Sequence, residues 1–307
     1  MIIRKKRGFW QLLFTIQGSV LPRVLPQILV VTALGVLAVF LHEHFAQIFP
    51  EYSLASFSIL GLMLSLLLGF RNSASYARWW EGRQQLGALI MHARSLGRMT
   101  MCYFDASDPS QVKLQQSTMQ RIRTFSTVLL YGLRDRDFKD KVSANNDPLA
   151  AHRILSAKSP ADMSLRLISE NIAQARRLGF ISDITAMEFE RLVSLLADVQ
   201  AACERLQNTP IPFAFMLLAH RLAYLFCALL PFALASTTGI ATPVISAIAA
   251  YAFFGLDALS TELENPFGEK PNQLAVYSIE RTLEIHLLDA QGLPVPPALQ
   301  AKGTWLN

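Results

Sequence analysis

The sequence predicts an all-α membrane protein, and three observations support that fold class. Hydrophobic residues make up 52% of the 307 residues and charged residues only 17%, proportions outside the range of soluble domains. Several uncharged runs reach the length of about 20 residues that a helix needs to cross the hydrocarbon core of a bilayer. No alternating strand pattern of useful length separates these runs, so the intervening segments are expected to be helical too.

Four membrane spans are expected. Two lie in Val24–Leu41 and Tyr52–Phe70, which contain no charged residue. The other two lie in the longer uncharged stretch Leu222–Leu256, which is interrupted by ASTTGIATP at 235–243. Glycine and proline in that interruption favour a turn and predict a hairpin whose first arm begins near Ile211. The spans cover about residues 24–45, 52–71, 211–236 and 240–258.

Lysine and arginine are concentrated on one side of these spans. They precede the first span and follow the second, whereas the connection HEHFAQIFPEYS and the turn ASTTGIATP contain none. Because the cytoplasmic flanks of membrane helices carry an excess of Lys and Arg, both termini are expected in the cytoplasm. The basic residues are Arg4, Lys5, Lys6, Arg7, Arg23, Arg71, Arg78 and Arg83.

The rest of the chain, about residues 72–209 and 259–307, is expected to form a cytoplasmic helical bundle. The second span enters this block without a linker, which favours one continuous domain over residues 1–307. Apolar stripes at helical spacing support the bundle. They are Ile122, Phe125 and Leu129 in one segment and Phe189, Leu192, Val193 and Leu196 in another.

Helix starts recur in the same block. A capping side chain precedes a proline at Asp108, Asp147 and Ser159, which places the proline in the first turn of a helix. Thr185 and Glu188 have the spacing of a capping box and predict a fourth start.

Motifs for catalysis, cofactors or nucleic acids are absent. The chain contains no GxGxxG, P-loop, HExxH or GxSxG sequence, so no catalytic residue and no cofactor is predicted. Asp135 and Asp137 alternate with arginines, which favours a charge-neutralised exposed segment over a catalytic carboxylate pair. The basic residues gather beside apolar runs without an aromatic-basic platform, so nucleic acid is not expected as a partner.

No metal site is predicted either. Cys102, Cys203 and Cys227 form no CxxC pair and are interpreted as buried thiols. The HEH triplet at 42–44 stands in the connection after the first span, and its i,i+2 spacing does not direct both histidines to one metal on a helix. A solvated interfacial loop is the favoured interpretation of that triplet.

Arg221 and Asp257 are ionisable residues at the ends of apolar runs, where a charge costs about 2.5 to 3.5 kcal/mol on insertion scales. Each lies eighteen positions from Gly239, on opposite arms of the expected hairpin. They should therefore lie at similar depth near the inner membrane boundary. Two interpretations stay open: a structural pair that fixes the hairpin beside a snorkelling arginine, or a contribution to an ion path.

Two stripes repeat every four residues in the second span. Small residues at this spacing allow close helix packing in lipid. The bulky stripe lies about a hundred degrees further round the helix, and copies of it around a shared axis would form a hydrophobic constriction that gates ions by dewetting. Bulky apolar residues are also typical of any lipid-facing helix. The small residues are Gly61, Ser65 and Gly69, and the bulky residues are Leu62, Leu66 and Phe70.

Several motifs together resemble the bestrophin family, and its prokaryotic branch most of all. RNSASYARWWEGR contains an RWW signature at residues 78–80, directly after the second span, and NPFGE at residues 265–269 follows the last span. QGSV at residues 17–20 and IPF at residues 211–213 are also similar. These segments occur in the expected order over nearly the whole chain.

The resemblance implies a homopentamer in a bacterial inner membrane, whose partners are copies of itself, the lipid bilayer and permeant monovalent ions. One ion path would follow the five-fold axis, lined by the second helix and opening into a cytoplasmic cavity. The family's apolar neck falls on Leu62, Leu66 and Phe70. A second, cytoplasmic constriction falls on Phe180, with Leu178 and Ile181 as alternatives.

The resemblance also bears on ion sign and calcium. Animal members are anion channels, whereas bacterial relatives are associated with monovalent cations, so a cation preference, for sodium in particular, is expected, with a chloride or other anion channel as the alternative. Calcium-gated members continue NPFGE into acidic residues. Here Glu269 is followed by KPNQ, and because calcium prefers carboxylate-rich oxygen ligands, no calcium gating is expected.

Two other classes of function compete with a channel. A non-conducting membrane scaffold or ligand sensor would use its cytoplasmic bundle to bind a partner. A secondary transporter would be expected to contain inverted repeats and broken helices, and the spans contain no clear internal repeat.

Overall fold

The structure, a computed structural model, describes residues 18–45 and 54–301 together with residues 8, 15, 16, 305 and 306. Every regular element in these ranges is a helix, which confirms the all-α expectation. The α-helices, numbered in chain order, are α1 Leu21–His44, α2 Leu54–Tyr103, α3 Pro109–Gly132, α4 Lys139–Asn145, α5 Pro148–Ser156, α6 Pro160–Arg177, α7 Asp183–Asn208, α8 Phe213–Thr238, α9 Thr242–Leu263 and α10 Val276–Asp289.

The internal contacts divide the chain into two compact units. The first unit contains α1, the part of α2 up to Trp79, and Pro210–Pro266 with α8 and α9. The second unit contains Trp80–Thr209 and the chain from Phe267 onward. This division runs close to the boundary that the sequence predicts between the spans and the cytoplasmic bundle.

Three stretches of the described chain are long and apolar enough to cross a membrane. They are Leu21–His44, Ala55–Tyr103 and Phe213–Leu263. The third contains the expected hairpin, because a short 3-10 helix, Gly239–Ala241, separates α8 from α9. Gly239 has a φ of 50°, a conformation that glycine adopts without the steric cost a side chain would add.

In the first unit, α1 packs against α8 and α9. α1 and α9 approach closely at Gly35, where an added Cβ would lie 2.7 Å from the Cα of Pro243. Small side chains in the core permit this close packing without a large hydrophobic driving force between helices. The core consists of Val24, Val31, Leu64, Leu68, Ala219, Ala223, Cys227, Ala250 and Phe254.

Three of the four helix starts predicted in the second unit are confirmed. Asp108, Asp147 and Ser159 each accept a hydrogen bond from a backbone N–H in the first turn of the helix that follows. The start predicted at Thr185 is wrong. α7 begins at Asp183, and the Oγ of Ser182 accepts from the backbone N–H of Thr185 at 3.1 Å, so Thr185 already lies in the first turn.

Both apolar stripes predicted for the second unit are buried, which confirms their assignment to helix faces. α3 packs against α6 and α10, and α6 packs against α7. The prediction of three buried thiols is partly wrong. Cys203 and Cys227 are buried, and burial raises the pKa of Cys203 to about 12, but Cys102 is exposed near the end of α2.

Candidate functional site

The bulky stripe of α2 is largely uncovered by the residues that the structure describes. Leu62, Leu66 and Phe70 are 63%, 56% and 69% exposed. On the opposite side of the same helix Leu64 and Leu68 are 3% and 0% exposed. Consecutive residues of a helix are turned by about 100°, so residues four positions apart lie on the same side. Leu64 and Leu68 therefore mark the buried side of α2, and the bulky stripe lies on the other side. The three apolar side chains are therefore available to line a path shared with other molecules.

The small stripe serves two different contacts. A Cβ added to Gly61 would lie 3.1 Å from Phe226, so Gly61 admits an aromatic ring from α8 of the same chain. The Oγ of Ser65 donates to the carbonyl of Gly61 at 2.8 Å. Among the described residues no atom lies within 4 Å of a Cβ added to Gly69, so none of them requires a glycine there. Gly61 therefore allows the close helix approach that the small stripe predicts, here with α8 of its own chain, and packing between copies stays a prediction.

A groove of about 610 Å³ borders the bulky stripe in the first unit. Its walls come from α2 and α8 and are almost entirely apolar. Met63, Leu66 and Phe70 contribute from α2, and Leu222 and Leu225 contribute from α8.

A buried charge network stands directly behind the stripe, at the residue after Phe70. Arg71 is 1% exposed and forms an ion pair with Asp257 of α9. Its Nη2 donates to the Oγ1 of Thr261 at 2.9 Å. The second carboxylate oxygen of Asp257 lies 2.9 Å from the Nδ1 of His220 on α8. These side chains join α2, α8 and α9 at one point.

The pair predicted between Arg221 and Asp257 is wrong. Within the described chain Asp257 is engaged by Arg71 and His220, and Arg221 is exposed. His220 and Arg221 are adjacent on α8 and therefore point about 100° apart, so only one of them can face α9. Arg221 and Asp257 are equally far along the chain from Gly239. This spacing does not determine the direction in which the Arg221 side chain points around α8.

The comparisons with known proteins agree with one another. The family described as Bacterial/Fungal Bestrophin protein matches residues 1–289. A voltage-dependent anion channel-forming protein of Mesorhizobium japonicum is 38% identical over 302 residues, 98% of this chain and 96% of that protein. The voltage-dependent anion channel-forming protein YneE of Escherichia coli K12 is 34% identical over 94% of this chain and 93% of its own.

This chain is a member of the bestrophin family. The crystal structure of a bacterial bestrophin homologue from Klebsiella pneumoniae superposes with a TM-score of 0.84 and 33% identity, covering 88% of this chain and 99% of that one. The fold and the family therefore agree with the resemblance carried by the RWW and NPFGE motifs.

In this bestrophin the RWW arginine fixes the end of the last apolar helix. The Nε of Arg78 donates to the backbone carbonyl of Glu264 at 2.9 Å, one residue after α9 ends. A backbone carbonyl at a helix C-terminus has no partner within its own helix, so a guanidinium satisfies it well. The motif thus connects α2 to α9 within the first unit.

A second arginine organises the loop after α9 within the second unit. Arg134 donates from Nε to the carbonyl of Phe267 at 2.8 Å and from Nη2 to the carbonyls of Gly268 and Leu274 at 3.0 and 2.9 Å. Its guanidinium lies 4.4 Å from the ring centre of Tyr277. Three carbonyl oxygens and an aromatic face therefore surround one fixed positive charge.

The neighbouring arginine neutralises the acidic residue of NPFGE. Arg136 contacts both carboxylate oxygens of Glu269, at 3.1 and 2.8 Å, and its hydrogen bonds lower the pKa of that carboxyl. Asp135 and Asp137 are exposed as predicted. The sequence pattern did not predict that Arg134 and Arg136, which flank Asp135, bind the loop after α9.

The remaining predicted sites have mixed outcomes. Phe180 is partly exposed in the connection between α6 and α7, Leu178 is 55% exposed and Ile181 is 7% exposed, so the constriction assignment stays a prediction. The HEH triplet completes α1 rather than a loop, and the ring of His44 stacks on Phe40. In the ranges that the structure describes, no three His, Cys, Asp or Glu side chains could hold a metal ion.

Removing the carboxylate of Asp257 should destabilise the folded chain. Asp257→Ala leaves Arg71 buried without its counter-charge, which should cost about 3–5 kcal/mol, whereas Arg221→Ala should change stability by less than about 0.5 kcal/mol. Replacing both partners, as Arg71→Met with Asp257→Leu, should be less damaging than Asp257→Ala alone. Thermal unfolding of the purified variants in detergent measures these differences, and equal melting temperatures for Asp257→Ala and Arg221→Ala would contradict the pairing.

Proposed function

We propose that this bestrophin is a pentameric ion channel of the bacterial inner membrane. Its four spans would be α1, the first part of α2, α8 and α9, with both termini in the cytoplasm. The observation that carries the proposal is the apolar stripe Leu62, Leu66 and Phe70, which lies on a face of α2 that the described residues leave exposed. In this proposal the stripe is the neck of the ion path.

A neck needs several copies, because one helix cannot enclose a path. The two flanks of the stripe support assembly into a ring. Gly69 leaves open space on one flank, and Met63 borders the apolar groove on the other. A ring joins unlike surfaces of successive copies, so a small flank and a bulky flank on the same helix suit a cyclic arrangement. The number five comes from the family resemblance.

Ion flow through such a neck is controlled by hydration rather than by charge. Leucine and phenylalanine offer no ligand that replaces the water around an ion, so a narrow apolar ring opposes conduction by dewetting. The arrangement therefore acts as a barrier whose height depends on side-chain volume. It contributes little to discrimination between anions and cations.

For ion sign we propose a preference for small monovalent anions. The relatives that resemble this chain over nearly their whole length are named voltage-dependent anion channel-forming proteins. The cation preference expected from the sequence, for sodium in particular, rests on family resemblance alone and is kept as the alternative. A non-conducting scaffold has no specific observation in its favour.

Widening the neck tests the channel directly. Leu66→Ala should raise single-channel conductance several-fold, because a smaller side chain allows the constriction to hydrate. Planar-bilayer recordings measure the change. The matched control is Leu29→Ala, the same substitution at a position on α1 that is 60% exposed. Equal conductance for parent and Leu66→Ala would favour the scaffold.

The reversal potential decides ion sign. In bilayers with asymmetric sodium chloride, the current should reverse near the chloride equilibrium potential. Reversal near the sodium equilibrium potential would replace the anion proposal with the cation alternative and leave the channel intact.

Calcium should not gate this channel through the NPFGE loop. Arg134 already occupies the carbonyls of Phe267, Gly268 and Leu274, and Arg136 neutralises Glu269. Calcium requires six to eight oxygen ligands, and two guanidinium groups at the same place oppose it. Open probability should therefore be the same with calcium present or chelated. A calcium response that disappears in Glu269→Gln would contradict this account.

A further inference from the structure

The part of α2 within the second unit carries an unusual set of arginines. Arg83, Arg94 and Arg98 are all exposed, and among the described residues none lies within ion-pair distance of a carboxylate. The Nη2 of Arg98 donates to the hydroxyl of Ser95 at 3.3 Å. Three full positive charges therefore remain uncompensated along one helix.

Most other exposed arginines of this unit are paired. Five of them, together with the half-buried Arg153, contact a carboxylate within 3.3 Å. One of those contacts, from Arg205, neutralises Glu81, the single acidic residue of α2. The lack of partners on α2 is therefore not a general property of the surface. The pairs are Arg136 with Glu269, Arg153 and Arg166 with Glu170, Arg176 with Asp183, Arg191 with Glu188, and Arg205 with Glu81.

The three arginines share one side of the helix. Arg94 follows Arg83 by about three turns and precedes Arg98 by about one turn, so the set extends over roughly 20 Å. The buried side of this segment, which includes Leu89 and Ala93 at 0% exposure, faces elsewhere. Like charges one turn apart destabilise a helix by about 0.2–0.5 kcal/mol, so this arrangement has a cost that folding alone does not require.

We propose that Arg83, Arg94 and Arg98 form an electrostatic track that concentrates small anions along α2 and biases permeation toward them. The proposal rests on the function proposed above, in which α2 lines the ion path. A ring of copies would multiply the charge, and rings of arginine or lysine are how pores favour anions. The track supplies the charge discrimination that an apolar neck lacks.

The effect of the three arginines on ion permeation should depend on the salt concentration. Fixed charges raise the local concentration of counter-ions, and the effect extends over a Debye length of roughly 30 Å at 0.01 M salt but only about 3 Å at 1 M. The arginines should therefore matter most in dilute solution. They should act on conductance and selectivity, and not on the folding of the chain.

The test is Arg94→Gln with Arg98→Gln in planar bilayers. At about 0.01–0.02 M sodium chloride, where screening is weak, anion conductance should fall several-fold and the reversal potential should shift toward the sodium equilibrium potential. Near 1 M salt the variant should match the parent. The charge-preserving pair Arg94→Lys with Arg98→Lys should restore parental behaviour.

The matched control is Lys113→Gln, which removes an exposed positive charge from α3 and should leave the currents unchanged. Parental conductance and reversal potential for the double Gln variant in dilute salt would overturn the track. The shift toward cations is expected whichever ion the parent prefers, so a cation-selective parent would refute the anion preference alone. A parent without current would refute the channel.

Discussion

The buried ion pair between Arg71 and Asp257 is the interaction on which the first unit depends. An arginine that is 1% exposed among apolar helices would be too costly without a counter-charge, and its pairing with α9 and the bond from His220 fix three helices at one point. Because Arg71 directly follows Phe70, this anchor also fixes the rotation of α2. Because the Arg71 side of α2 is held against α9, the side that carries Leu62, Leu66 and Phe70 stays exposed.

That constraint separates two tasks on a single helix. One side of α2 holds the chain together through Leu64, Leu68 and Arg71, and the other carries apolar residues that stay largely exposed in the part of the chain that the structure describes. Further along the same helix, in the second unit, the exposed residues include Arg83, Arg94 and Arg98. In the proposed channel, the apolar neck would control hydration and the basic segment would control charge, so substitutions in the two segments should differ in how strongly their effects depend on salt.

Much of the fold follows from local sequence signals. The hairpin at Gly239 and the caps at Asp108, Asp147 and Ser159 depend on residues a few positions apart, and each was predictable. The neck stripe was predictable from periodicity and from the family resemblance, although its role stays a proposal.

The partners of long-range contacts were not predictable from sequence. Arg71 lies 186 positions from Asp257, and Arg134 lies 133 positions from Phe267, so no local pattern links them. Gly61 and Gly69 show the same limit, since only the structure distinguishes the glycine that admits Phe226 from the one that faces open space. The direction of a side chain around its helix was the missing information in each case.

In the proposed channel, ions pass along the uncovered face of α2. Cysteines introduced singly at Leu62, Leu66 and Phe70 in a Cys102→Ser background, then exposed to a charged thiol reagent during bilayer recording, test it most directly. Modification should change the current at all three positions and leave it unchanged for Leu29→Cys on α1. Current that is insensitive to modification at 62, 66 and 70 would contradict the account.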